Sequence, residues 1–82
     1  MNELQRLLVS ATLVDARGLA CPAPIIELAK TLRRAALVEL WADDPAAWAD
    51  LEAFLSATGH ERVAADRASG VVRAVIRRGA GR

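Results

Sequence analysis

In the stretch GLACPAPIIELAK, residues 18–30, the only cysteine of the chain stands directly before Pro22-Ala23-Pro24, where an apolar-periodic run begins. A lone cysteine in a small domain is ordinarily an inert buried residue. This one falls at a proline-stiffened helix start, straight after a glycine-containing strand exit, and that favours an exposed thiol held for chemistry. With Cys21 as N-cap and Pro22 as the first helical residue, the remaining first-turn donor, the Ala23 N–H, can point at the sulfur. Partial positive charge at the helix start then favours thiolate over thiol. Ala23 precedes Pro24, which disfavours a helical Ala23, so the helix starts at either Pro22 or Pro24. Both registers leave Cys21 at its mouth.

The reactions open to one such thiol are few. Dithiol exchange needs a resolving cysteine, and there is none. A thiol hydrolase wants a base beside the sulfur, but the single histidine, His60, follows Gly59 at the end of a second helical pattern. In a parallel arrangement it belongs at the opposite end of the sheet from Cys21. One Cys and one His are too few for a structural zinc site, so no metal is expected. What remains is a covalent carrier rather than a turnover enzyme: a nucleophile without base or cofactor that takes up a group and passes it on.

The elements that position this thiol follow from periodicity. Residues 1–10 show no clean period and read as a mobile or edge-packing lead-in. ATLVDARG (11–18) reads as a strand closed by Gly18. Ile25, Leu28, Ala29 and Leu32 mark one face of a helix running from Pro22 to about Arg34, with Glu27, Lys30, Thr31 and Arg34 on the other. In LVELWADD (37–44), Val38, Leu40 and Ala42 alternate with Leu37, Glu39 and Trp41. A second helix over 43–59 has Asp44 as N-cap, Pro45 as its first residue and Gly59 past its end. Trp48, Leu51, Phe54 and Leu55 supply its buried stripe. ERVAADRA and VVRAVIRR then form a hairpin around Ser69-Gly70. The predicted order is β-α-β-α-β-β: an α/β (α+β) two-layer sandwich, a four-stranded mixed sheet with two helices on one face. The other face would lie open, carrying Trp41, Glu39, Arg73 and Arg77. Residues 11–79 make a single domain, and 80–82 a tail.

Composition sets the remaining bounds. The chain has 82 residues, 54% hydrophobic, with a net charge of +1. It is long enough for one modest core, and near-neutrality argues against a basic nucleic-acid-binding surface. One cysteine excludes an internal disulfide. The LLVSATLV run (7–14) is short and bounded by Arg6 and Asp15, unlike a signal peptide, and no run reaches the ~20 apolar residues of a membrane span. A cytoplasmic domain without membrane insertion is expected.

LVDARGLACPAP resembles the opening signature of the TusA-like (SirA-like) sulfur-carrier family, an Asp followed by Gly-Leu-x-Cys-Pro-x-Pro. WADDPAAWADLEAFLSATGHE is similar to its second block, with Asp-Pro opening the second helix and Gly-His closing it. The resemblance runs from Thr12 to Gly79. It implies a sandwich like the C-terminal domain of translation initiation factor 3. It also implies that Cys21 accepts sulfane sulfur as a transient persulfide and relays it to a partner's cysteine. Donors in the family include cysteine desulfurases and rhodanese-type enzymes, and destinations include tRNA thiolation, molybdenum cofactor assembly and sulfur oxidation. Carried over by position, Pro22 and Pro24, with Ala23 and Gly18, shape the site. Arg17, Asp44 and Pro45 are candidates for partner docking, although Asp43 and Asp44 also read simply as cap and first-turn charges. Two departures stand out: RRAALVEL lacks the Pro-Gly turn common between the first helix and second strand, and residues before Ala11 match nothing in the pattern. The competing readings are an RNA- or protein-binding regulatory module using the open sheet face, with a vestigial cysteine, and a single-cysteine redox partner.

Overall fold

A computed structural model describes residues 2–79; the tail expected at 80–82 lies outside them. Seven elements follow one another: α1 (Glu3–Ser10), β1 (Thr12–Asp15), α2 (Ala23–Leu32), β2 (Leu37–Ala42), α3 (Ala47–Thr58), β3 (Glu61–Ala68) and β4 (Val71–Arg77). The four strands form one mixed sheet in the order β1-β2-β4-β3. β1 runs parallel to β2, pairing Asp15 with Trp41, and β4 lies antiparallel to both β2 and β3.

The alternation predicted for β2 holds. Val38, Leu40 and Ala42 are buried, and on β4 so are their cross-strand neighbours Ile76, Ala74 and Val72. That face meets Leu28 and Leu32 of α2 and Leu51 of α3, with Trp48, Phe54 and Leu55 packed around them. Burying a Leu or Ile side chain contributes about 1.5–3 kcal/mol, so this one contiguous cluster carries most of the stability. Thr31, expected on the outer face of α2, is instead 4% exposed. Its hydroxyl donates to the Glu27 carbonyl at 2.9 Å, which satisfies the buried polar group inside its own helix.

Loop chemistry sets the element ends. α2 stops at Leu32, earlier than the expected Arg34, and its last turn closes with Arg33 N–H to Lys30 O and Arg34 N–H to Thr31 O. This is how the connection manages without a Pro-Gly turn. Gly59 ends α3 in the left-handed region at φ 78°, where a Cβ would be disfavoured. Ser69 and Gly70 both have positive φ, as a tight hairpin turn of the primed type requires.

One expectation is corrected at the amino end. Residues 3–10 are a helix, not an aperiodic lead-in. Asn2 and Gln5 form a reciprocal capping box: Asn2 Oδ1 accepts from Gln5 N at 2.8 Å, and Gln5 Oε1 accepts from Asn2 N at 3.1 Å. α1 lies against the sheet face opposite α2 and α3, where Leu8, Glu39, Ala64, Arg73 and Val75 line a shallow recess. Val75 points away from the main core, yet it is only 4% exposed. The second face is therefore partly covered rather than open.

Candidate functional site

Two loops that leave the sheet at the same edge build the site. After β1 the chain continues its pairing with Ala16 N–H to Trp41 O at 2.7 Å, then turns at Gly18, whose φ is +83°. Gly18 N–H donates to Asp43 Oδ1 at 2.9 Å, tying the β1–α2 loop to the β2–α3 loop. Both helix mouths thus open side by side, as the parallel register demands. Cys21 stands exposed at this edge, one residue ahead of the α2 N-cap, Pro22. Its peptide bond to Pro22 is cis. Pro24 is buried and anchors the first turn against the core.

The helix register falls between the two expected starts: Pro22 is the N-cap, Ala23 the first helical residue, and Pro24 the second. Cys21 is therefore not the N-cap. The amide expected to face the sulfur is already used, because Ala23 N–H donates to the Ala20 carbonyl at 2.9 Å. With prolines at 22 and 24, the first turn offers the sulfur no other donor before Ile25, and the Ile25 and Ile26 N–H groups both turn to the Pro22 carbonyl.

What meets the sulfur instead is a carboxylate. Cys21 Sγ donates its proton to Oδ2 of Asp50, in the first turn of α3. The hydrogen bond to Asp50, with burial and the charges of Asp50 and Asp44, pushes the Cys21 thiol above its ordinary value. This corrects the thiolate expected at the helix start: the adjacent acid outweighs the helix end, because no free amide reaches the sulfur. Sequence reasoning missed Asp50. It lies beside buried Leu51 and three residues after buried Ala47, so once the helix mouths are neighbours, an acid in that turn must face the first mouth or its rim.

The other candidate residues serve the loops. Asp44 Oδ1 accepts from Ala46 N–H at 2.8 Å and its carbonyl from Ala47 N–H at 2.9 Å. It thus closes the turn carrying Pro45 rather than capping the helix: the α3 N-cap is Ala46 and the helix begins at Ala47, two residues after the predicted start at Pro45. Arg17 lies on the opposite side of the sheet from α2 and α3. Its guanidinium makes paired hydrogen bonds to Asp15, 2.9 and 2.7 Å, and stacks 4.6 Å from the Trp41 ring centroid. Those hydrogen bonds hold the Asp15 carboxyl down at about 2. Arg73 takes the other approach to Trp41, at 5.0 Å, and pairs with Glu39 at 3.1 Å. His60 is at the far end of the sheet, where its Nδ1 accepts from Gly79 N–H at 2.8 Å. Leu37, at the β2 end remote from the site, pairs with Arg77, and Arg77 with Glu61. Cys21 and His60 do not meet.

With this geometry in place, comparison with known proteins identifies the lineage. The family model described as Sulfurtransferase TusA matches residues 12–78. The chain belongs to the TusA family. It is 38% identical over 76 residues to a Bacillus subtilis strain 168 protein described as "Putative sulfur carrier protein YrkF", covering 88% of this chain but 41% of that one. This TusA-family domain thus spans well under half the length of that relative. An Archaeoglobus fulgidus protein described as "Putative sulfur carrier protein" is 32% identical over 68 residues, covering 79% of this chain and 93% of the relative. Among solved structures, the SirA-like protein of Desulfitobacterium hafniense superposes with a TM-score of 0.69 at 25% identity, covering 84% of this chain and 99% of that one. The TusA match begins at Thr12, so α1 lies outside it. No helix among the described residues is long and apolar enough to cross a membrane, and they contain no group of three or more His, Cys, Asp or Glu side chains suited to a metal ion.

Proposed function

We propose that this protein is a sulfur carrier that accepts sulfane sulfur as a persulfide on Cys21 and relays it to a cysteine of a partner protein. The observation that carries the reading is an exposed sole cysteine at the shared mouth of two helices, in a chain whose TusA match spans nearly the whole domain. In loading, Cys21 Sγ attacks the outer sulfur of a donor persulfide R–S–SH. The donor S–S bond breaks, R–S⁻ leaves with the electron pair, and the Cys21 proton ends on it as R–SH. Discharge to an acceptor thiol is the same exchange in reverse, so no resolving cysteine, metal or redox cofactor takes part. The donor is a cysteine desulfurase or a rhodanese-type enzyme, and the acceptor serves a pathway such as tRNA thiolation, molybdenum cofactor assembly or sulfur oxidation.

Intact mass after incubation with a cysteine desulfurase and cysteine, and separately with a rhodanese-type donor, tests this. Gain of one sulfur atom, reversed by reductant and absent from Cys21→Ser, is expected. No gain with either donor would overturn the carrier reading. The sheet-face binding module has less support. Trp41 is occupied by Arg17 and Arg73, Arg73 is paired with Glu39, Arg77 with Glu61 at 2.9 Å, and Leu8 of α1 lines one recess with Val75, which is itself buried.

A further inference from the structure

Asp50 has no part in the relay as described above, yet it is the side chain in contact with the reacting sulfur. It is half-buried in the first turn of α3, a position set by the packing of Leu51 beneath it. The charges around Cys21 come from every neighbouring element. α3 contributes Asp50. The β2–α3 loop contributes Asp44, turned to Ala46 N–H, and Asp43, turned to Gly18 N–H. The β1–α2 loop contributes Arg17, which is turned to Asp15 and Trp41. Among the described residues the sulfur therefore has a carboxylate in contact, while the neighbouring cation Arg17 is turned away to Asp15 and Trp41.

We propose that Asp50 biases the relay toward discharge, by hydrogen-bonding the empty Cys21 thiol and repelling the loaded persulfide anion. The inference rests on the carrier reading and deepens it. A persulfide is more acidic than a thiol, so at neutral pH the loaded carrier is Cys21–S–S⁻, with an anion facing the Asp50 carboxylate. The empty carrier is Cys21–S–H, with a proton shared toward the same carboxylate. The balanced exchange is Cys21–S–S⁻ plus R–SH giving Cys21–SH plus R–S–S⁻. The R–S bond to the moving sulfur forms, the Cys21 Sγ–S bond breaks, and Sγ keeps the electron pair and receives the proton of R–SH. Charge and sulfur count are equal on both sides. Asp50 stabilises the right-hand carrier and destabilises the left-hand one. The same contact makes the empty thiol a poor nucleophile toward stray electrophiles, since the thiolate is the reactive form.

Two measurements on Asp50→Asn, with Asp50→Glu and Asp44→Asn beside it, test the proposal. Circular dichroism first establishes that each variant is folded. The first measurement is the pH dependence of iodoacetamide alkylation of Cys21, which needs no sulfur donor. Asp50→Asn is expected to shift the profile to lower pH and raise the neutral-pH rate severalfold. Asp50→Glu should stay close to wild type, and Asp44→Asn should shift it less. The second is the ratio of loaded to empty carrier, read by intact mass, in a fixed mixture of glutathione persulfide and glutathione at neutral pH. Asp50→Asn is expected to raise that ratio severalfold. An unchanged alkylation profile, an unchanged loading ratio, or an equal effect from Asp44→Asn would each overturn the role of Asp50. Absence of any persulfide on wild type and variants alike, with the alkylation shift present, would instead sink the carrier reading and leave the Asp50–thiol contact established.

Discussion

At the residue scale, acid-facing geometry dominates. A helix start is expected to activate a thiol, but that effect works through free amides. Here one first-turn amide is spent on Ala20 and two of the residues are prolines. A carboxylate in contact then decides the proton. The other perturbed acid, Asp15, shows the opposite sign. Its hydrogen bonds to Arg17 lower it from 3.8 to about 2, so the pair's contribution is complete above the ordinary value and is lost as pH falls toward the folded one. Carboxyl NMR of Asp15 should therefore titrate near 2, and Arg17→Met should return it toward about 4, the unperturbed Asp range. A midpoint already near 4 in the wild type would mean that the Arg17 fork does not form. Asp15 and Arg17 are both exposed, so little stability is expected to follow.

At the element scale, α1 is the instructive case. Its eight residues are short for an autonomous helix, but Leu4, Leu7 and Leu8 stand at i, i+3 and i+4 in the sequence, a helical period that the aperiodic reading overlooked. Asn2 and Gln5 are a capping-box pair, and that three-residue spacing was a second sequence signal. The surface that makes the helix worthwhile, β2 and the recess lined by Glu39, Arg73 and Val75 on the back of the sheet, lies some thirty to seventy residues away along the chain. Asn2→Ala should cost the capping interaction, about 1 kcal/mol, at most. In urea melts the expected result is a small loss, with amide exchange rising first in residues 3–10. Removing residues 1–10 should leave Cys21 reactivity unchanged, because α1 and the site lie on opposite faces of the sheet. A change in the Cys21 alkylation rate on truncation would contradict that separation.

At the scale of the whole molecule, one core holds both helix mouths in place. Leu51 and Leu28 are each 0% exposed and belong to the same cluster. Leu51→Ala should destabilise the domain by about 2–5 kcal/mol, from lost transfer energy plus the cavity. Denaturant unfolding gives that value directly. The same variant should loosen the Asp50 side chain next door, so its alkylation profile at low denaturant should move toward that of Asp50→Asn. Retention of the wild-type profile despite lost stability would show that the α3 first turn is held by the Asp43 and Asp44 bonds alone. Most of the fold was legible in the sequence because alternation in β2, the 3.6-residue period in α2 and the Gly59 and Ser69-Gly70 stops are local signals.

The sequence by itself determined the strand and helix order after Ala11, the buried face of β2 and, Thr31 apart, of α2, and the thiol at the entrance to α2. It also placed His60 away from Cys21, since parallel register alone carries the two to opposite ends. Tertiary structure decided what surrounds the sulfur. Ala23 N–H closes a local turn rather than facing Cys21, Arg17 folds to the far side of the sheet, and Asp50, twenty-nine residues on, arrives through the packing of α3 beside α2. Propensity and periodicity report on neighbours along the chain. The protonation of a thiol depends on whichever charge the core brings across to it.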